Sequence, residues 1–181
     1  NRSREAGLRS YNREIPEEIN RILTDHLSGK CFVPTNNAYK NLIKEGIPSS
    51  HVFEVGDVMY DAVLFFSKVA EKKSKIIKKL NLSSKKYVLA TVHRQKSTDD
   101  ENNLKNIFHA LEESPIKVIM PIHPRTKNSL KRYNISPNSK IQLIDPVGYL
   151  DMLMLEKNAF LIVTDSGGVQ KEAFFHKIPS I

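Results

Sequence analysis

Phe160-Leu161-Ile162-Val163-Thr164-Asp165-Ser166-Gly167-Gly168-Val169-Gln170-Lys171-Glu172 is the stretch whose reading decides the fold class. Its apolar start, Phe160 to Val163, has the length and composition of a buried strand, and a helix is predicted from Val169. A strand that passes into a helix through Ser-Gly-Gly is half of a strand–helix–strand unit, the building block of a parallel sheet. The turn also presents unpaired backbone N–H groups and the positive end of a helix dipole. Glycines let a phosphate come close to such a backbone, and Ser166 adds a hydroxyl donor. Glu172, about one turn inside, can accept hydrogen bonds from ribose hydroxyls. An ordinary tight turn with a surface glutamate fits the same spacing, so both readings stand at this point.

The alternation continues upstream. Tyr87 to Val92 reads as a strand followed by a polar loop, 93–102, and by a helical face of Leu104, Ile107, Phe108 and Leu111. Lys117 to Met120 is the next strand, with Pro121-Ile122-His123-Pro124-Arg125 a stiff loop; Ile141 to Ile144 is a strand and Tyr149 to Glu156 a short helix. In the first half, Glu17 to Ser28 carries Ile19, Ile22, Leu23, His26 and Leu27 at helical spacing, beginning beside Pro16 and ending at Gly29. Cys31 to Val33 is a short strand; Thr35 can cap a helix that runs to Gly46. His51 to Val55 is a further strand, and one helix is predicted from Val58 through Leu80. Strands alternating with helices predict an α/β fold with parallel sheets flanked by helices. A polar stretch at 81–86 marks the expected boundary between residues 1–84 and 85–181, and the last residues read as the start of another strand.

Composition narrows the class. The 181 residues are 40% hydrophobic and 27% charged, enough for a sizeable core, and nine prolines and seven glycines exclude a fibrous chain. No apolar run reaches the length of a membrane span, so no membrane partner is expected. A single cysteine, Cys31, excludes an internal disulfide and reads as a buried hydrophobe; the cytoplasm is the expected compartment. The net charge of +8 is concentrated in Lys68, Lys72, Lys73, Lys75, Lys78, Lys79, Lys85 and Lys86. These share their segment with Val69, Ile76, Ile77 and Leu80, the pattern of a helix with a solvated lysine face rather than a nucleic-acid surface.

Two His-Arg pairs follow strand ends, the usual place for ligand groups in an open α/β sheet: His93-Arg94 and, with a proline between, His123-Arg125. Such groups can stabilise charge on a departing diphosphate. Glu5 and Glu17 are carboxylates that could divide acid and base roles, although Glu17 and Glu18 also simply favour a helix start. The histidines show no ligand spacing, no G-x-G-x-x-G or Walker-type loop occurs, and neither metal nor cofactor is expected.

In order along the chain, Glu-Ala-Gly-Leu-Arg-Ser (5–10), Pro-Glu-Glu-Ile-Asn-Arg (16–21), Pro-Thr-Asn-Asn-Ala (34–38), Val-Gly-Asp-Val-Met-Tyr-Asp-Ala (55–62), Thr-Val-His-Arg (91–94), His-Pro-Arg-Thr (123–126), Pro-Val-Gly-Tyr-Leu-Asp (146–151) and Thr-Asp-Ser-Gly-Gly-Val-Gln-Lys-Glu-Ala (164–173) resemble the non-hydrolysing UDP-N-acetylglucosamine 2-epimerase family. The resemblance implies a glycosyltransferase-B-type fold of two Rossmann-like domains, with 1–84 the later part of the first plus an interdomain helix and 85–181 the first part of the UDP-binding second. It implies interconversion of UDP-N-acetylglucosamine and UDP-N-acetylmannosamine, serving polysaccharide biosynthesis, by elimination and re-addition of UDP. Carried over by position, Glu5, Glu17 and His93 match catalytic groups. Arg94, Ser166, Gly167, Gly168 and Glu172 match UDP-binding groups, and His123 falls near a regulatory UDP-sugar site. The resemblance further implies an internal fragment of a homodimeric enzyme, lacking an N-terminal part and a C-terminal end and expected to be poorly stable and weakly active alone. A hydrolysing relative, releasing N-acetylmannosamine and UDP, and a non-catalytic UDP-sugar-binding module are the alternatives. The sequence departs from the family pattern at Asn1 to Arg4 and at Gln95-Lys96-Ser97.

Overall fold

A computed structural model describes all of residues 1–181. The chain forms two compact units, Asn1–Ala62 and Val63–Ile181, each built on its own parallel sheet.

In the first unit the sheet order is β1 (Arg2–Arg4), β2 (Lys30–Val33), β3 (Val52–Glu54), all parallel. Helix α1 (Pro16–His26) connects β1 to β2, and α2 (Asn36–Lys44) connects β2 to β3. Thr35 caps α2 as expected, its hydroxyl accepting from Ala38 N–H at 3.2 Å, and Gly46 follows the helix at φ +89°. The core is small: Ala6, Cys31, Val33, Ala38, Leu42, Ile47 and Val52. β1 escapes a sequence reading because only Ser3 of Arg-Ser-Arg is buried, leaving no apolar signal.

Helix α1 has the predicted period, but the face it buries is not the apolar one. Glu18 and Asp25 are 1% and 3% exposed, whereas Ile19, Leu23 and Leu27 are 45%, 55% and 75% exposed. Buried carboxylates survive only when their oxygens are satisfied, and both are. Asp25 accepts from the Ser3 hydroxyl at 2.6 Å and Gly7 N–H at 2.9 Å, and pairs with Arg9 at 2.9 Å. Glu18 accepts from Ser10 N–H and Tyr11 N–H, each at 2.9 Å. Burial alone would raise the Glu18 carboxyl, but these N–H donors outweigh it and hold it below the usual carboxylate range.

The second unit carries the sheet β6 (Ile141–Ile144), β5 (Lys117–Pro121), β4 (Tyr87–Thr91), β7 (Leu161–Thr164), again all parallel. Every residue of β4 is buried because helices cover both faces. On one face Val88, Ala90, Val118 and Met120 meet Leu104, Phe108 and Leu111 of α6 (Glu101–Glu112) and Leu130 of α7 (Pro124–Arg132). On the other, Tyr87, Leu89, Ile119 and Ile162 meet Leu155 of α8 (Tyr149–Asn158) and Ala173 of α9 (Gly167–Phe175). The predicted final strand is present as a parallel bridge of Ser180 to Ile162.

Three expectations change. The helix predicted from Val58 through Leu80 is two, α3 (Val58–Lys73) and α4 (Ile76–Lys79), broken where the Ser74 hydroxyl turns to Asp151 at 2.5 Å. The stretch 121–125, read as a stiff loop, turns into α7 at Pro124, where a proline's missing N–H and fixed φ suit a first helical position. A further short helix, α5 (Gln95–Thr98), lies in the loop expected at 93–102. The compact units divide at Ala62 and Val63, inside α3; Val63 and Ala70 pack on Leu153 of α8, and Ile76 joins the core under β4. The lysines of α3 and α4 are exposed, as their spacing predicts.

Candidate functional site

The order β6-β5-β4-β7 reverses direction at β4, since β5 and β7 flank it on opposite sides. Beyond the C-terminal ends of β4 and β7 the two following loops therefore diverge to different faces and leave a crevice, the recurrent ligand position of open α/β sheets. The register Thr91↔Thr164, with the two hydroxyls 2.5 Å apart, brings His93-Arg94 against Asp165-Ser166-Gly167.

Asp165 joins the two loops. It accepts from His93 N–H at 2.9 Å and Arg94 N–H at 2.8 Å, and its other oxygen lies 3.3 Å from His93 Nδ1. The Ser166 hydroxyl caps α9 by accepting from Val169 N–H at 3.4 Å. A Cβ on Gly167 would meet nothing nearer than Arg94 Nη2 at 4.0 Å. No contact within the chain demands glycine there; its absent side chain leaves the helix N-terminus open beneath a guanidinium, an arrangement suited to an anion. His123 completes the cluster: its ring centroid is 5.5 Å from that of His93, and its Nδ1 accepts from Arg125 N–H at 3.1 Å, capping α7. The Thr126 hydroxyl donates to the Val92 carbonyl and holds that cap to the end of β4.

Glu172 does not stand on the surface. It is buried in α9 beside Glu156 and Tyr149 of α8. Burial pushes its carboxyl up, while hydrogen bonding from Glu156 and Tyr149 partly opposes that. Glu156 is fully buried, and neither of its oxygens has a partner of good geometry. Burial first, and the charge on Glu172 second, hold Glu156 protonated well above the carboxylate range. Glu172 is the more accessible of the pair. The Tyr149 phenol is pushed up to about 12, by burial and then by Glu172.

The remaining predicted residues lie in the first unit. Glu5 follows β1 with a left-handed backbone, φ +54°, and lines a cavity of about 270 Å³ with Arg2, Arg4, Phe32, Val55, Gly56 and Val58. Glu17 is exposed in the first turn of α1, next to the buried Glu18. The segment between them is tied down by side-chain hydrogen bonds to α2 and the residue after it. Arg9 makes two hydrogen bonds to Glu45, at 2.7 and 2.8 Å, Asn41 donates to the Gly7 carbonyl at 2.9 Å, and Gly7 packs its Cα against Ala38. Sequence reasoning missed Asp165, Glu156, Asp25 and the anchoring role of Glu18. Only Asp165 carried a signal, its place between a strand end and a glycine pair. No group of three or more His, Cys, Asp or Glu side chains is arranged to hold a metal ion. No helix is long and apolar enough to cross a membrane.

Comparison with known proteins agrees with this frame. A family model described as UDP-N-acetylglucosamine 2-epimerase matches residues 4–181. A UDP-N-acetylglucosamine 2-epimerase homolog of Methanococcus maripaludis is 55% identical over 98% of this chain and 51% of its own length. The UDP-2,3-diacetamido-2,3-dideoxy-D-glucuronate 2-epimerase of Pseudomonas aeruginosa is 45% identical over 98% of this chain and 49% of its own. The crystal structure of Methanocaldococcus jannaschii UDP-GlcNAc 2-epimerase, in complex with UDP-GlcNAc and UDP, superposes with a TM-score of 0.86 at 48% identity, over 97% of this chain and 51% of that one. The chain thus spans about half the length of the relatives it matches. With the match running from the end of β1 through α9 and the two parallel sheets reproduced, the chain belongs to the UDP-N-acetylglucosamine 2-epimerase family.

Proposed function

We propose that this chain serves the interconversion of UDP-N-acetylglucosamine and UDP-N-acetylmannosamine. The observation that carries the reading is the convergence of His93, Arg94 and the open N-terminus of α9 at one crevice, in a chain of this family. The diphosphate binds over Ser166, Gly167 and Gly168, where helix N–H groups and the Arg94 guanidinium meet its charge. Glu172, half a helix along α9 from that turn, accepts the ribose hydroxyls. His93 stands at the departing phosphate oxygen, and His123 beside it completes a regulatory or substrate contact.

The chemistry is an elimination. A carboxylate removes the C2 proton, the C2–H electron pair forms the C1–C2 double bond, and the C1–O pair leaves with UDP. Re-addition of UDP with protonation from the opposite face of C2 inverts that centre. Two carboxylic groups of opposite role are needed, and Glu5 and Glu17 supply them. The working form in this reading is a cytoplasmic homodimer that needs neither metal nor nicotinamide, and sedimentation of the whole protein checks the dimer.

Proton NMR with UDP-N-acetylglucosamine in deuterated water tests the reaction. C2-deuterated UDP-N-acetylmannosamine is the expected product; free N-acetylmannosamine with UDP would indicate the hydrolysing outcome, and bound but unexchanged substrate a binding module. The Pseudomonas relative favours a second reading, in which the sugar is a 2,3-diacetamido uronate. The same experiment with that nucleotide sugar separates the two.

A further inference from the structure

Among the groups at the crevice, Asp165 has a geometry that exceeds the needs of a loop clamp. Two backbone N–H donors would satisfy its carboxylate, yet the Oδ1 that lies 3.2 Å from His93 N is also within 3.3 Å of His93 Nδ1. A carboxylate oxygen is an acceptor, so its approach to Nδ1 favours the hydrogen of the neutral imidazole on Nδ1 and the lone pair on Nε2. His123 has the opposite arrangement: its Nδ1 accepts from Arg125 N–H, so its neutral ring carries hydrogen on Nε2. Two imidazoles 5.5 Å apart are thereby set as complementary tautomers, one with a basic Nε2 and one with a donating Nε2.

We propose that Asp165 is the positioning residue of the site: it sets His93 as the Nδ1–H tautomer and so reserves Nε2 for proton exchange with the departing UDP. This rests on the reading of His93 as the group beside the leaving diphosphate. In the elimination, the phosphate oxygen that takes the C1–O electron pair receives the Nε2 proton of the cationic ring, which relaxes to the Nδ1–H tautomer. Re-addition returns that proton to Nε2 as the oxygen bonds C1 again. The same carboxylate, 16% exposed, binds His93 N–H and Arg94 N–H, so the imidazole and guanidinium move together with the start of α9. Asparagine at this position has an amide that can face Nδ1 with either a donor or an acceptor, and it releases the tautomer.

The test is long-range 15N–1H correlation NMR of the chain with labelled histidine rings, the His93 signals assigned by their loss in His93→Gln, together with calorimetric titration with UDP. The wild-type chain is expected to show neutral His93 as the Nδ1–H form. Asp165→Asn is expected to raise the Nε2–H share and to weaken UDP binding by about tenfold, the worth of one oriented hydrogen bond. A wild-type Nε2–H tautomer overturns the proposal. So does an Asp165→Asn chain that melts lower but keeps the wild-type tautomer, which would make Asp165 a structural clamp only. If the variant does not fold, the wild-type tautomer decides by itself. Absence of UDP binding to the wild-type chain, with the Nδ1–H form present, instead overturns the nucleotide reading on which the role of Nε2 depends.

Discussion

Replacing Glu156 by glutamine should flatten the dependence of stability on pH. Glu156 is fully buried on α8, and burial together with its neighbour Glu172 raises its carboxyl far above the ordinary value. Between the unfolded and folded pKa values the native chain therefore holds a proton that the unfolded chain has released. Stability from this group is complete below the unfolded carboxyl pKa and is lost as pH rises towards the folded one. The slope is about 1.4 kcal/mol per pH unit, so moving from about pH 5 to about pH 7 costs the wild-type chain about 2.7 kcal/mol through this one group. For a chain of this size that is a fall in Tm of about 5–11 °C. Glutamine keeps the shape and a donor without titrating. Glu18, Glu45 and His176, whose shifts all have the opposite stability slope, are common to both proteins and cancel in the difference. Calorimetric melts of both chains across that range are expected to show the variant gaining on the wild type steadily as pH rises. A gap in Tm that stays constant with pH would refute the reasoning, because it would mean that Glu156 takes up no proton on folding.

Three other outcomes are expected. Gly7→Ala places a Cβ 2.2 Å from the Ala38 carbonyl oxygen at φ +76°, and should cost about 3 kcal/mol or more in a denaturant titration, since backbone is the obstacle. Arg9→Ala leaves Asp25 and Glu45 without their shared cation in a site where the arginine is 1% exposed, and should cost about 3–5 kcal/mol in the same assay. Glu17→Gln should leave the melt unchanged and abolish deuterium uptake at C2. Glu18→Gln should instead lower the melt, by about 1–3 kcal/mol, through the loss of the charge that Ser10 and Tyr11 N–H groups bind.

The pattern of residues determined the α/β class on its own, for a local reason. Runs such as Tyr87–Thr91 and Leu161–Thr164 are apolar on both faces, which only a sheet covered on both sides accommodates. The turn chemistry at Thr35, Gly46 and Ser166 was equally local, because a cap depends on residues three or four apart. The candidates Glu5, Glu17, His93 and the Ser166–Gly168 turn are proposed from the order of the family motifs along the chain, not from a local pattern. Tertiary structure alone decided which face of α1 goes inside, because the donors that make Glu18 and Asp25 tolerable in the interior lie 7 to 22 residues away. It decided the break between α3 and α4, where Asp151 draws the Ser74 hydroxyl from 77 residues along. It also decided that Asp165 meets His93, through a strand register 72 residues apart, and that Glu172 shares its burial with Glu156. Periodicity records which residues avoid water; partners for a buried charge are chosen only when the chain closes on itself.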